Sequence, residues 1–481
     1  MKLIRYLAAG MLALGLAAAA LGVSFFMSGE AASRPAKTFE DYMRDAAAYK
    51  NESAYYKAIV SYERALEEQE NDPDALIGLA ETYGRKMDYD RELEVRKQIV
   101  EILPDDIDNR VRIIEIMIRS KDYEAAKKEA EEVLSKYESE ELSALYKMML
   151  VDAPEFTLSS GEYDEYQLLD LVSHGDNAIV RYTLDGTDPG MESPIWSDQL
   201  VISYPETEIR AIAYSPLGFP SEVTDLKLTI TKPAEVVVSG GSYSNTSWVL
   251  RNLMNKSYEQ DVYNYELAQV RDIYCVGSYS FSTEAYQTLF YGDHYTRYDS
   301  EYDSYGEYDL AFVSNMPFLR TLVFSFQKDV DLEPLSSLEY LENLSAYHCG
   351  IDDLSPLEDC TSLKKLALGW NDISDISPLA SLTSLESLGL WNNSIEDISA
   401  VRGLHNLAYL DIANNEVTNI DAVSELKELT EVWINGNGIE DISPLDHCEK
   451  IGVLMQAGNP VSEYGSVKDR MGQFYKTDLK Q

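Results

Sequence analysis

Seven aromatic and acidic side chains in the last third of the chain recur at related positions of a 22-residue pattern. They are Tyr347, Trp370, Trp391, Tyr409, Asp411, Glu431 and Trp433, with His348 and Lys365 in the same columns. Aromatic rings stack on sugars, apolar groups and cations, while carboxylates attract cations and hydroxyl groups. A cluster of tryptophans and tyrosines has the composition of a binding surface. These residues predict a ligand-binding site, the alternative being that the rings only shield one another.

The sequence contains no recognisable catalytic constellation. The histidines lie in separate elements without the spacing of metal ligands: His174, His294, His348, His405 and His447. There is no GxSxG nucleophile turn, glycine-rich phosphate loop or HExxH helix. Acidic pairs are uninformative in a chain with 83 Asp and Glu residues. We therefore expect a protein without enzymatic activity, cofactor or metal.

An apolar residue begins a new copy of one pattern every 22 residues between Leu319 and Ile451. The four best copies read LxxLxLxxN with conservative changes and begin at Leu363, Leu385, Leu407 and Leu429. A fixed period of this length is the signature of a leucine-rich-repeat solenoid, whose parallel strands bury their apolar face by stacking on neighbouring repeats. Because the first, fourth and sixth positions are buried, the seven side chains are expected on the concave face or its rim.

Two short amphipathic segments, residues 247–254 and 265–269, precede the first strand of this pattern. They resemble the helical N-terminal cap of internalin-like bacterial leucine-rich-repeat proteins. The resemblance implies a domain over residues 243–481, with a cap (243–269) that covers the open end of the solenoid core. A Tyr- and acid-rich insertion (279–309) interrupts the frame, and the tail (460–481) is expected to form a helical C-terminal cap.

A second spacing, of 34 residues, marks residues 38–150. Tyr55, Tyr89 and Tyr123 follow it, and the apolar residues around them recur every three or four positions, as in amphipathic helices. The pattern resembles tetratricopeptide repeats, which stack helix pairs into a superhelix. Glu92 and Arg96 replace small and aromatic residues of that family, which predicts looser packing or a displaced boundary in the middle unit. Such repeats either bind a peptide or act as a spacer.

Alternating apolar and polar residues with short turns characterise residues 153–232. This period of two predicts an antiparallel β-sandwich. The segments 182–189 and 209–214 resemble the immunoglobulin-like module at the C-terminus of bacterial chitobiases and β-hexosaminidases. In that family the module is accessory to the hydrolase, so the resemblance does not imply glycosidase activity. The whole chain is therefore expected to be multidomain: helical repeats, a β-sandwich and a parallel-β solenoid.

The charge of the chain restricts its partners. Forty basic and 83 acidic residues give a net charge of -43. Nucleic acids and anionic lipid surfaces repel such a protein, so neither is an expected partner.

Residues 1–29 have the pattern of an export signal. Lys2 and Arg5 precede an uncharged stretch, 6–29, rich in Leu, Ala, Gly and Phe. A stretch of this length fits a signal-anchor with a cytoplasmic N-terminus, and cleavage after Ala31 is the alternative. The expected location is a bacterial cell membrane with the bulk of the chain outside, or secretion after cleavage.

These observations combine into one functional expectation. The chain is a non-enzymatic, envelope-anchored bacterial binding protein whose solenoid binds a protein, peptide or glycan ligand. Two alternatives stay open: a membrane-tethered scaffold that acts through the helical repeats, and an accessory component of carbohydrate processing.

Overall fold

The computed structural model describes residues 37–478, apart from residues 176, 243, 277–308, 328 and 475. The chain divides after Lys147 into two compact units. The signal or anchor segment (1–29) and all but the last residue of the insertion (279–309) lie outside the described residues. Within the described ranges, no helix is both long and apolar enough to cross a membrane.

The N-terminal part of the described chain is helical. Its helices are α1 (Phe39–Asn51), α2 (Tyr55–Glu68), α3 (Pro73–Arg85), α4 (Tyr89–Ile102), α5 (Ile107–Arg119), α6 (Tyr123–Leu134) and α7 (Glu140–Met149). Tyr55, Tyr89 and Tyr123 are the first residues of α2, α4 and α6, so each 34-residue copy is one helix pair. Asp72 and Asp106 are the N-cap residues of α3 and α5, and each accepts a hydrogen bond from a backbone N–H group of the first turn. The predicted helical repeat is confirmed.

Glu92 and Arg96 form part of a buried charge network in α4. The helix begins at Tyr89, as the spacing predicts, and Glu92 is only 1% exposed. Its carboxylate accepts hydrogen bonds from Nε of Arg96 (2.9 Å) and Nε of Arg112 (2.8 Å). Burial raises the pKa of Glu92, but the bonds from the two guanidinium groups outweigh burial and lower it. The boundary of the middle unit is therefore not displaced, and ion pairs stand where the family has small and aromatic residues.

The next segment folds into short strands. They are β1 (Glu155–Phe156), β2 (Gly161–Tyr163), β3 (Gln167–Leu169), β4 (Leu171–Val172), β5 (Ile179–Thr183), β6 (Leu200–Ile202), β7 (Glu206–Tyr214) and β8 (Thr224–Ile230). One sheet has the order β2-β8-β7-β5, and β1 pairs with β4 and β3 with β6. All of these pairs are antiparallel except β2 with β8, which is parallel. The antiparallel prediction is therefore wrong at that one pair.

The rest of the described chain forms a capped solenoid. Its helices and strands are β9 (Val236–Val238), α8 (Asn245–Leu253), β10 (Val262–Tyr263), α9 (Asn264–Leu267), β11 (Asp272–Val276), β12 (Thr321–Ser325), β13 (Asn343–Tyr347), β14 (Lys365–Ala367), β15 (Ser387–Gly389), β16 (Tyr409–Asp411), β17 (Glu431–Trp433), β18 (Val453–Met455) and β19 (Lys476–Thr477). Its 3-10 helices are Leu310–Asn315, Glu333–Leu335, Ser355–Leu357, Ser377–Ser381, Ser399–Gly403, Asp421–Glu425, Ser443–His447 and Val467–Gln473.

Strands β11 to β19 form one parallel sheet in sequence order. From β12 to β18, each residue pairs with the residue 22 positions further on, as Leu344 does with Leu366 and Leu388 with Leu410. The leucines of the pattern are fully buried on one side of this sheet. The predicted 22-residue solenoid is confirmed, and the sheet side opposite the leucine core is its concave face.

A column of asparagines holds neighbouring repeats together. Oδ1 of Asn371 accepts from the backbone N of Cys349 (2.8 Å) and of Ile351 (3.2 Å), in the preceding repeat. Its Nδ2 donates to the carbonyl oxygens of Ala346 (2.8 Å) and Leu368 (2.9 Å). The corresponding asparagines repeat this pattern: Asn393, Asn415, Asn437 and Asn459. The column therefore satisfies backbone groups that would otherwise be left unpaired where the chain turns after each strand.

The strands of residues 155–230 and the start of the solenoid share a core. Ala268 and Phe318 of the solenoid pack in one apolar cluster with residues of β3, β6, β7 and β8. Across the same junction, Gln269 Nε2 donates to the carbonyl oxygen of Val201 (2.9 Å). Arg320 forms an ion pair with Asp198 at 2.7 Å. The concave face therefore belongs to a compact unit that is larger than the repeats alone.

The C-terminal end of the solenoid is closed differently from the sequence-based expectation. A helical cap was expected for residues 460–481, but the described tail holds the 3-10 helix Val467–Gln473 and strand β19. Arg470 donates to the carbonyl oxygens of Leu445 (2.8 Å) and Cys448 (3.0 Å). Unpaired carbonyls at the last turn require such donors, and β19 covers the edge of the sheet.

Candidate functional site on the concave face

The sheet places most of the predicted site residues on one face. Along β16 and β17 the buried Leu410 and Val432 point into the core, so their strand neighbours point to the concave face. Tyr409 pairs in register with Glu431, and Asp411 with Trp433. These four residues therefore form a block of two adjacent columns, as the 22-residue spacing predicts.

Trp391 lies flat against the floor of the concave face. A Cβ atom on Gly369 would stand 2.2 Å from Cε2 of this indole, and one on Gly389 would stand 2.6 Å from Cζ3. Only glycine leaves room for the ring at both positions, since real Cβ contacts are not that short. The ring of Tyr347 lies beside it, with centroids 6.2 Å apart and planes 32° apart. Tyr347 and Trp391, both half-buried, form what we name the aromatic platform.

A second aromatic group, the rim ladder, consists of Phe326, His348 and Trp370. These residues directly follow the strand column of Ser325 and Tyr347 and lie 22 residues apart. The rings of Phe326 and His348 stack with centroids 5.7 Å apart, and those of His348 and Trp370 with centroids 6.0 Å apart. Trp370 is 48% exposed, the most exposed of the predicted site residues.

Asp411 is buried beneath the face and does not stand at its surface. It is 1% exposed, and its Oδ1 accepts a hydrogen bond from the backbone N of Ala413 at 2.9 Å. Tyr409 donates its hydroxyl to Oδ2 at 3.3 Å. Burial raises the pKa of Asp411 to about 7, against the lowering effect of these two bonds. Burial and the neighbouring carboxylates of Asp411 and Glu431 raise the pKa of Tyr409.

Trp433 is covered, which corrects the expectation that its indole is open to solvent. It is 7% exposed, and the Nζ atom of Lys476 lies over its ring, 4.5 Å from the centroid. Lys476 belongs to β19, the terminal strand that the sequence pattern did not reveal. Asp411 is likewise too deep to be the exposed polar group that the sequence predicts. Asp411 and Trp433 still lie on the predicted side of the sheet, but other groups of the chain cover them.

The structure therefore separates the predicted residues into two groups. Tyr347, Trp370 and Trp391 come together with Phe326 and His348, whereas the other four predicted residues form the block around β16 and β17. Phe326 was not predicted as a site residue, although it precedes Trp370 by 44 residues, two full repeats. That spacing was a usable signal. The position of Lys476 had no such signal, because the tail lies outside the repeat.

Two family matches fall within the second unit. Residues 383–424 and 405–447 match the family Leucine Rich repeats (2 copies), and residues 169–228 match the family Fn3 associated. No curated protein matches the sequence. Residues 383–447 are therefore leucine-rich repeats.

Solved structures that resemble the chain include two Listeria internalins and a plant receptor ectodomain. Internalin C2 from Listeria monocytogenes is 22% identical over 49% of this chain and 92% of its own, with a TM-score of 0.36. The functional domain of InlJ from Listeria monocytogenes is 15% identical over 51% of this chain and 61% of its own, with a TM-score of 0.32. The ectodomain of the plant receptor kinase GASSHO1/SCHENGEN3 from Arabidopsis thaliana, in complex with CASPARIAN STRIP INTEGRITY FACTOR 2, is 19% identical. It covers 35% of this chain and 23% of its own, with a TM-score of 0.32.

Proposed function

We propose that this chain is a non-enzymatic binding protein whose solenoid holds a protein or peptide ligand on its concave face. The observation that carries this proposal is the aromatic platform, in which Trp391 lies on Gly369 and Gly389. Glycine weakens a strand, because it has no side chain to pack and loses much conformational freedom on folding. Two glycines under one indole therefore make room for the ring on that face at a cost to the backbone.

The leucine core explains the stability of the repeats without the platform. Leu366, Leu388 and Leu410 are at most 1% exposed on the opposite side of the sheet. Tyr347 and Trp391 instead lie half-buried on the face that the core does not use. Large rigid rings on a fixed sheet have the geometry of binding hot spots, since they supply contact area with little loss of side-chain entropy.

The acidic block beside the platform gives this surface a preferred polarity. Glu431 is half-buried in register with Tyr409, one column away from the buried carboxylate of Asp411. The Glu431 carboxylate favours ligands with cationic or hydroxyl groups, whereas Asp411 lies too deep to contact one. A polypeptide is the proposed ligand class, and a glycan is the alternative that the test below separates from it.

The location and the accessory domains belong to the same proposal. The basic and then apolar residues 1–29 support export, with the chain anchored in a bacterial envelope or secreted. The helical repeats, which resemble tetratricopeptide repeats, serve as a spacer. Residues 153–232, which resemble the chitobiase-type module, support the solenoid through their shared core. An internalin-like role in surface recognition fits this arrangement.

Two variants of the full chain test the proposal. Trp391→Ala removes the platform ring, and Gly389→Ala displaces it while the indole stays present. Binding is measured against an array of envelope proteins and glycans, with ligand-dependent quenching of tryptophan fluorescence as the second readout. We expect both variants to lose the ligand that the unaltered chain retains.

Trp248→Ala is the matched control, since this indole is 45% exposed on α8, far in sequence from the platform. It should retain the ligand. Unfolding in urea confirms that each variant is folded. A ligand held equally well by the unaltered chain and both platform variants would refute the proposed face. If the chain bound only glycans from the array, the ligand would be a glycan and not a polypeptide.

A further inference from the structure

The rim ladder has an unusual backbone conformation. Phe326, His348 and Trp370 have φ values of 54°, 55° and 56°. This left-handed region is unfavourable for bulky side chains and costs about 1 kcal/mol or more per residue. Three aromatic residues therefore hold strained positions in three successive repeats.

The later repeats show which residues the same column accepts without strain. The column continues with Asn392 (φ 54°), Asn414 (φ 55°), Gly436 (φ 70°) and Gly458 (φ 84°). Asparagine and glycine are the residues that tolerate this conformation best. The fold thus requires a left-handed residue at each repeat but does not require an aromatic one. The left-handed backbone therefore does not explain why Phe326, His348 and Trp370 are aromatic.

Stacking along the column leaves Trp370 as the terminal ring. The planes of His348 and Trp370 are 18° apart, and those of Phe326 and His348 are 27° apart, so each ring covers its neighbour. The next residue in the column is Asn392, which has no ring. Within the part of the chain that the structure describes, His348 is the ring of this column that stacks on the Trp370 indole, and Trp370 is 48% exposed.

The loops that follow this column from His348 onward are uniformly acidic, whereas the loop after Phe326 contains Lys328 beside two aspartates. Residues 348–354, 370–376, 392–398, 414–420 and 436–442 contain nine Asp and Glu residues and neither Lys nor Arg. Asp353 and Asp375 accept hydrogen bonds from backbone N–H groups of Ser355 and Ser377, both at 2.8 Å. These bonds lower the pKa of both carboxylates, so they stay ionised at neutral pH. The loop that begins at Trp370 therefore carries two carboxylates, Asp372 and Asp375, which attract cations.

The same domain already pairs a cation with an indole. Lys476 places its Nζ atom 4.5 Å from the ring centroid of Trp433 on the concave face. Tryptophan is the aromatic side chain that attracts cations most strongly. A Lys or Arg side chain of a ligand placed over the Trp370 ring would form the same kind of contact as Lys476 forms with Trp433. The acidic residues of the loop that begins at Trp370 would add to the attraction.

We propose that the rim ladder is a subsite for Lys or Arg side chains of a basic, extended polypeptide, with Trp370 as the contacting ring. This inference rests on the proposed function and names the ligand chemistry of one part of the surface. His348 and Phe326 act as positioning residues that hold the Trp370 indole upright by stacking.

The column itself supplies the test substitution. Trp370→Asn introduces the residue that Asn392 and Asn414 provide in the same conformation, and it leaves the net charge unchanged. Binding of a decamer of lysine to the full chain is measured at several salt concentrations. We expect the variant to bind about 3- to 30-fold more weakly, which is the range of one cation–π contact. The urea midpoint should not fall, because the substitution relieves backbone strain.

Trp248→Asn is the matched control, since it removes an equally exposed indole at the same net charge. It should bind the lysine decamer as the unaltered chain does. His348→Asn tests positioning, with an expected smaller loss and a changed environment of Trp370 fluorescence. A decamer of glutamate serves as the probe of opposite charge. A neutral chitooligosaccharide serves as the uncharged probe.

Two results would overturn the inference. In the first, Trp370→Asn binds the lysine decamer as tightly as the unaltered chain does, so that the attraction comes from charge alone. In the second, Trp370→Asn loses a neutral oligosaccharide that binds more tightly than the lysine decamer. Neither result touches the proposed function, which depends on the Trp391 and Gly389 variants.

Discussion

Replacing Asp411 by asparagine should stabilise the second unit, and the gain should grow with pH. Burial raises the pKa of this carboxyl from its ordinary 3.8 to about 7 in the folded protein. Below pH 4 both folded and unfolded chains bind the proton, and the carboxyl has no net effect. Between pH 4 and 7 only the unfolded chain releases it, so stability falls as pH rises. Above pH 7 the loss is constant.

The size of this effect follows from the difference in pKa. A rise of about 3 corresponds to at most about 4 kcal/mol above pH 7, of which about 2–3 kcal/mol develops between pH 5 and 8. The substituted asparagine would keep the acceptor for the backbone N–H of Ala413 and remove the buried charge. Its new amide N–H groups need acceptors, which reduces the gain by about 1 kcal/mol at all pH values alike.

Tryptophan fluorescence isolates the relevant unit. All five tryptophans lie after Lys147, so urea unfolding followed by their emission reports on the second unit alone. The quantity to compare is the difference in unfolding free energy between Asp411→Asn and the unaltered chain at pH 5 to 8. Asp372→Asn, which removes an exposed carboxylate of the same solenoid, is the control for the loss of one negative charge. A difference for Asp411→Asn that does not grow with pH would refute the buried, proton-binding carboxyl.

Two further substitutions test the parts of the fold that position the site. Glu92→Ala should destabilise the helical repeats by about 3–5 kcal/mol, since it leaves Arg112 without its buried partner. Thermal melting at 222 nm measures this, and Glu115→Ala, which removes an exposed partner of the same arginine, should change stability by less than about 1 kcal/mol. Asn371→Ala should lower the stability of the solenoid by about 2–3 kcal/mol, because it leaves buried backbone groups unpaired. Urea unfolding measures the loss, with Asn406→Ala, which removes an exposed asparagine, as the control. If the buried and the exposed variant of either comparison lowered stability equally, burial would not be the cause of the loss.

The repeat frames were predictable because each depends on a local spacing that repeats along the chain. The period of 22 placed Leu366, Leu388 and Leu410 in the core and Asn371 at the turn, and the structure confirms these positions. The 34-residue spacing of the tyrosines gave the helix pairs in the same way. A period identifies the buried face because each copy faces the same neighbours.

The departures from each frame were not predictable. The charge network of Glu92 needs Arg112, 20 residues away on another helix, and no spacing announces such a partner. The cover on Trp433 comes from Lys476 in the non-repeating tail. The left-handed column at Trp370 is a backbone property, and in the sequence only its later members, Asn392, Asn414, Gly436 and Gly458, indicate it.

For this protein, the sequence alone determined the repeat architecture, the identity of the core face and the list of side chains on the opposite face. Only the tertiary structure decided their depth, with Asp411 and Trp433 covered and Trp370 exposed. The reason is physical: alternation along a strand sets which face a side chain occupies, whereas its exposure depends on groups brought over it from elsewhere in the chain.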